Sequence, residues 1–199
     1  MDEATLRSLY LEKGLSAKQT ADRLGVPEAK VVYWLRKYRI PKRSRSEALY
    51  LRINPEGDPF KIKAELSSAE EKLKAAGLLL WVTEGSVKDK ESVGTSNSDP
   101  ALITLFVEFL LRVCGVEKSR IRMRVLYYPN MEMSVDEVRE FWAQATGLDQ
   151  AQIKINNYRA VHNHRAKSRY GTARVEVSNI RLRVLMEQWL NELYADLIS

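Results

Sequence analysis

A chain of 199 residues, 45% hydrophobic and 29% charged, is long enough for one medium domain or two small ones with packed cores. Its longest apolar stretches, near 77–82 and 105–111, are too short to cross a bilayer, and Met1, Asp2 and Glu3 lack the basic start of a secretory leader. A cytoplasmic protein without a membrane partner is expected. The net charge of +6 is unevenly placed: residues 1–46 hold 11 Lys/Arg against 5 Asp/Glu, whereas residues 47–199 hold 21 of each. Within the balanced part, residues 150–183 carry 8 basic side chains and one acid, Glu176. Two separate basic regions point to a polyanionic partner. The one cysteine, Cys114, excludes an internal disulfide and, set in an apolar helical run, reads as a small buried residue.

In chain order, residues 3–12 read as a first helix ending near Gly14, and Ser16 is placed to cap a second over 17–24. Gly25 breaks it, and a third helix follows over 27–38, stopped by Pro41. Ala21, Gly25, Val26, Val31 and Trp34 fall at the offsets of a helix-turn-helix: a small residue where two helices touch, a glycine in the turn, and apolar residues that hold the second helix down. With Val31, Trp34 and Leu35 inward, helical periodicity turns Glu28, Ala29, Val32, Tyr33 and Arg36 outward. Such a face suits the major groove of double-stranded DNA, where an arginine fork meets a guanine edge and apolar groups meet a thymine methyl. Lys42, Arg43 and Arg45 then form a basic arm that follows phosphates or enters a minor groove. Residues 47–66, with Asn54, Pro55, Gly57 and Pro59, read as the linker between domain 1–46 and domain 67–199.

Ser67 or Ser68 with Glu70 or Glu71 forms a capping box opening a helix that runs to Glu84 and Gly85. A strand pair over 82–88 and 92–97 and an apolar helix over 101–114 follow. Residues 120–125 alternate strictly, placing Arg120, Arg122 and Arg124 on one face of a strand. A helix over 135–146, strands near 152–160 and 171–178, and a last helix over 180–198 complete the pattern. The expected fold class is α+β: an all-α N-terminal domain, then helices covering one face of an antiparallel sheet whose other face is polar and basic, with Arg120, Arg122, Arg124, Lys154 and Arg174 toward DNA. The loop holding His162, Asn163, His164, Arg165, Lys167 and Arg169 reads as a basic loop gripping phosphates. Its two histidines lack a third ligand nearby for a metal.

The stretch Gly77, Leu78, Leu79, Leu80, Trp81, Val82, Thr83, Glu84, Gly85 resembles the LAGLIDADG motif of homing endonucleases, and the element order over 67–199 resembles that fold. The resemblance implies that Glu84 holds a divalent metal, Mg²⁺, beside a scissile phosphate. By position it also implies catalytic roles for Asn97, at the end of a strand, and Arg181, near the start of the last helix. One motif per chain implies a homodimer on a near-palindromic site. Leu79 stands where the motif has glycine, and arginine is a poor proton shuttle at 181. The expected function is therefore sequence-specific binding of double-stranded DNA by a transcription regulator that is nucleoid-associated when bound. The alternatives are an active Mg²⁺-dependent homing endonuclease and, more distantly, an RNA-splicing maturase.

Overall fold

The computed structural model describes residues 1–85, 91–128, 131–157 and 168–198, apart from the side chains of Arg45 and Ser46. The chain is α+β and divides into two compact units, Met1–Asp58 and Pro59–Ser199. The division falls within the 47–66 segment expected to join two domains.

In the first unit, Asp2 caps α1 (Glu3–Arg7) by accepting from the Thr5 amide, and the helix widens into a π turn, Ser8–Glu12. A capping box between Ser16 and Gln19 opens α2 (Ala17–Leu24), and left-handed Gly25 closes it. With φ at 63° and no atom near its would-be Cβ, Gly25 is there for its backbone freedom rather than for space. α3 (Glu28–Lys37) follows Pro27. Leu6, Tyr10, Ala21, Val31, Leu35 and Ile40 make the core, and Trp34, half-buried, stacks on Tyr38 at 5.2 Å. The expected basic arm is instead the lead into a helix. Ser44 accepts from the Glu47 amide and caps α4 (Arg45–Ile53), whose Tyr50 is buried and donates to Asp58 at 2.8 Å.

The second unit is built on a four-stranded sheet in the order β1-β4-β2-β3: β1 (Val93–Asn97), β2 (Arg122–Tyr127), β3 (Ile153–Asn157) and β4 (Thr172–Val177). β4 pairs antiparallel with both β1 and β2. β2 and β3 pair in parallel, which corrects the expected all-antiparallel sheet. The physical reason is the helix between them, α7 (Val135–Thr146), since a helical crossover returns the chain in the same direction, which a tight hairpin cannot. The expected strand at 82–88 is also corrected where it is described. Leu78 and Trp81, buried at helical spacing, carry α5 (Ser68–Glu84) through to Glu84, and residues 86–88 lie outside the described residues. α5, α6 (Pro100–Glu108, continued by a π turn over Phe109–Val113), α7 and α8 (Ile180–Ile198) contribute Trp81, Phe106, Trp142 and Met186 to one core. The same core takes Met123, Val125, Ala173 and Val175 from alternate positions of the sheet. The opposite sheet face carries Arg122, Arg124, Lys154, Arg174 and Glu176. Cys114 is fully buried and its thiol is pushed up by desolvation, so it is not a nucleophile. Among the described residues no helix is long and apolar enough to cross a membrane.

Glu70 closes the capping box of α5 and also accepts a short hydrogen bond from Lys63, with Ser67 donating at 2.9 Å from both its amide and its hydroxyl. Lys63 first, then Ser67, lowers its carboxyl from 4.5 to about 2. A pKa depressed on folding gives a stabilisation that is complete above the unfolded value and is lost as pH falls through the folded one. Wild type should therefore lose its urea-midpoint advantage over Glu70→Gln between pH 4.5 and about 2. An advantage that stays constant across that window would contradict this assignment.

Candidate nucleic-acid interface

On α3 the buried residues Val31 and Leu35 fix the rotation of the helix. Glu28, Ala29, Tyr33 and Arg36 are then exposed, as periodicity predicted, with Tyr33 58% exposed. Val32 departs from the expectation. It is half-buried and lines a cavity of about 100 Å³ with Tyr10, Ala17, Leu35, Ile40, Arg36 and Lys42. Tyr33 meets the Trp34 ring edge-on at 5.5 Å and Lys37 lies 4.4 Å over that ring, so the aromatic pair stiffens this end of the helix. Lys30, Lys37 and Arg39 are exposed basic residues on or just after α3 that the outward-face reading missed. Arg39 takes a left-handed φ of 52°, which lets the Ile40 amide bond back to the Leu35 carbonyl at 2.9 Å and end the helix.

Of the three arm residues, Lys42 is exposed and the Arg45 side chain lies outside the described residues. Arg43 is an internal brace. Its Nη1 donates to the Gly14 and Leu15 carbonyls at 2.9 and 3.1 Å, and its guanidinium lies 4.2 Å over the Tyr10 ring. Gly14 and Leu15 lie in the loop between the π turn and α2, and this is a non-local contact that no short motif encodes.

On the sheet, the register sets Arg124 directly across from both Arg174 on β4 and Lys154 on β3, with Ser96 across from Arg174. Four strands thus contribute to one row. Glu176, two residues along from Arg174 and on the same face, is clamped between two guanidiniums: Arg124 Nη2 and Arg174 Nε each lie 2.7 Å from one of its oxygens. Strand alternation sets Glu176 on the same face as Arg174, but its partner Arg124 depends on strand register, which the sequence alone does not give. Arg122 bends back, donating to the Ser119 and Ile121 carbonyls at 2.5 and 3.0 Å. Arg120 is off the strand, which corrects the expected three-arginine stripe. It ends a 3₁₀ turn, Lys118–Arg120, that Gln152 holds by donating to the Lys118 and Ile121 carbonyls, and it pairs with Glu117 at 3.7 Å. Arg169 is exposed, its guanidinium 5.3 Å from the Tyr170 ring, and that ring stacks on Phe141 at 3.6 Å. His162, His164, Arg165 and Lys167 lie outside the described residues.

The three positions given catalytic roles by resemblance lie on three elements, α5, β1 and α8. Glu84 is exposed in the last turn of α5, next to Gly85, which bridges to Thr95 of β1. Asn97 Oδ1 accepts from the Asp99 amide at 2.9 Å, and Asp99 in turn caps α6, so this carboxamide shapes the turn into α6. Arg181 is exposed in the first turn of α8. For Mg²⁺, one carboxylate such as Glu84 is the minimum the ion takes when substrate phosphates supply further oxygens, and among the described residues no group of three acidic, histidine or cysteine side chains surrounds it. No family model, curated protein or solved structure matches the chain.

Proposed function

We propose that the protein binds double-stranded DNA in a sequence-specific way and acts as a transcription regulator. In this reading α2 and α3 form a helix-turn-helix, α3 enters the major groove, and the second unit is a LAGLIDADG-like scaffold whose basic sheet face contacts the duplex. The observation that carries the reading is α3: its inner side is locked by Val31 and Leu35, while Glu28, Ala29, Tyr33 and Arg36 are turned to solvent beside Lys30, Lys37 and Lys42. A rigid helix bearing an arginine fork and an aromatic, flanked by cations, reads bases and follows phosphates at once. Selection from a randomised duplex library should yield a defined site. Arg36→Ala should lower the preference at one base pair by about 1–3 kcal/mol while other positions hold. Uniform weakening at every position would remove Arg36 from base reading.

The second reading is a Mg²⁺-dependent nuclease working as a homodimer. It draws on the outward side of α5, where Ala76 is half-buried, Leu79 is 42% exposed, and Thr83 and Glu84 are exposed; two copies meeting there would bring their Glu84 residues together. When bound, Mg²⁺ would supply charge stabilisation at a scissile phosphate, and Glu84 would hold it. We expect the selected site to survive incubation with Mg²⁺ or Mn²⁺, and Glu84→Gln to leave binding intact or slightly tighter as one negative charge near phosphate is lost. Metal-dependent double-strand cutting by wild type, abolished in Glu84→Gln, would decide for the nuclease.

A further inference from the structure

We infer that Glu176 is a positioning residue for base recognition: resting on the DNA-binding reading above, it holds Arg124 so that this arginine reads guanine rather than following phosphate. Glu176 is not itself a ligand, because its side chain is only 10% exposed. Its two oxygens are taken one each by Arg124 and Arg174 at 2.7 Å. Arg124 gives up one terminal nitrogen to this bond and keeps 55% of its side chain exposed, whereas Arg174 is 27% exposed. Arg174 is thus the inner arm of the clamp and Arg124 the outer one.

Arg124 and Arg174 are direct cross-strand partners, a like-charge pairing that opposes sheet formation unless an anion bridges it. Relief of that repulsion needs only a nearby negative charge, and an ion pair whose Arg124 side chain is 55% exposed adds about 0–1 kcal/mol of its own, so stability is a small part of what the Glu176–Arg124 contact supplies. The effect on Arg124 is specific. The tether removes rotamer freedom before binding, when a free arginine would still have it to lose, and it cuts the charge of the cluster from two to one. Attraction to phosphate, which depends on charge, falls. The planar fork, which matches guanine O6 and N7, is kept and aimed. Lys154, directly across from Arg124 on the next strand and exposed, remains available for the backbone.

The test is selection from a randomised duplex library with wild type, Glu176→Gln, Arg124→Lys and the double variant, read as base preference at each position and as affinity for mixed-sequence DNA. Wild type should prefer guanine at a position where each single variant loses roughly tenfold of that preference. The double variant should lose no more than either single one, since the two residues act through one contact. Affinity of Glu176→Gln for mixed sequence should hold or rise. Unchanged guanine preference in Glu176→Gln, accompanied only by a lower melting temperature, would show that Glu176 merely neutralises its neighbours and would overturn the inference. Arg124→Lys keeps charge and length, so its unchanged preference would overturn it even if Glu176→Gln failed to fold. Absence of duplex binding by wild type would instead overturn the DNA-binding reading itself, and is seen before any variant is made.

Discussion

Affinity for duplex DNA should fall about a thousandfold when monovalent salt is raised from about 50 to about 200 mM, if about six cations meet phosphates and release their counterions. The described residues supply such cations in two sets, Lys30, Lys37, Arg39 and Lys42 on the first unit and Lys154 and Arg169 on the second, all exposed. Arg43 and Arg122 are left out because both donate to backbone carbonyls of their own unit. Charge counting along the sequence cannot make that separation. The slope of log affinity against log salt therefore reports the number of cations engaged, and Lys42→Gln should lower it by about 1 while weakening every sequence alike. Arg43→Gln should leave the slope in place and reduce the stability of the first unit. Fluorescence anisotropy across a salt series measures both. A flat salt response would remove the electrostatic basis of the DNA-binding reading.

Features encoded within a few residues were legible in the sequence. Ser16, Ser67 and Ser134 each begin a helix because a hydroxyl three residues before a Gln or Glu satisfies open amides at the helix start. α7 accordingly runs over the residues expected of it, and α8, which begins after Asn179 with the Leu182 amide donating to Asn179 Oδ1, does so too. Gly25 and the inward set on α3 were equally local. What depended on contacts far apart in sequence was not legible. The brace from Arg43 to Gly14 and Leu15, the parallel pairing of β2 and β3, and the clamp of Arg124 and Arg174 on Glu176 all follow from how elements meet. α4 is an intermediate case. Ser44 and Glu47 carry the cap, yet the preceding basic run and the turn-rich stretch after it read as a linker, and the contacts that tie the helix to its unit, buried Tyr50 and Leu51 beside Gly14, are not local in sequence.

Gly77→Ala should destabilise the second unit even though alanine favours a helix interior over glycine by about 1 kcal/mol. Gly77 is buried in the middle of α5, and a Cβ there would lie 2.2 Å from Cγ of Phe109 and 2.6 Å from both Cδ atoms. The ring has little room to retreat: Phe109 is fully buried and lies 5.7 Å from the ring of Phe106, also fully buried. Overpacking of a close-packed core typically costs about 1–3 kcal/mol, and contact this short belongs at the upper end, leaving a net loss of about 2 kcal/mol after the helical gain. Thermal unfolding of the second unit should fall by roughly 5 °C or more, and Phe109→Leu in the same chain should recover part of the loss by making room, a coupling that a double-mutant cycle measures. Gly77 also starts the stretch that resembles a motif used for contact between two copies, which gives the experiment a second use. If Gly77 packs only against Phe109 of its own chain, the melting difference between wild type and variant is independent of protein concentration. If instead it lies between copies, the variant dissociates, and the difference shrinks as wild type is diluted. A raised melting temperature in Gly77→Ala would mean that the Phe109 ring yields without cost and would contradict the packing described for α5.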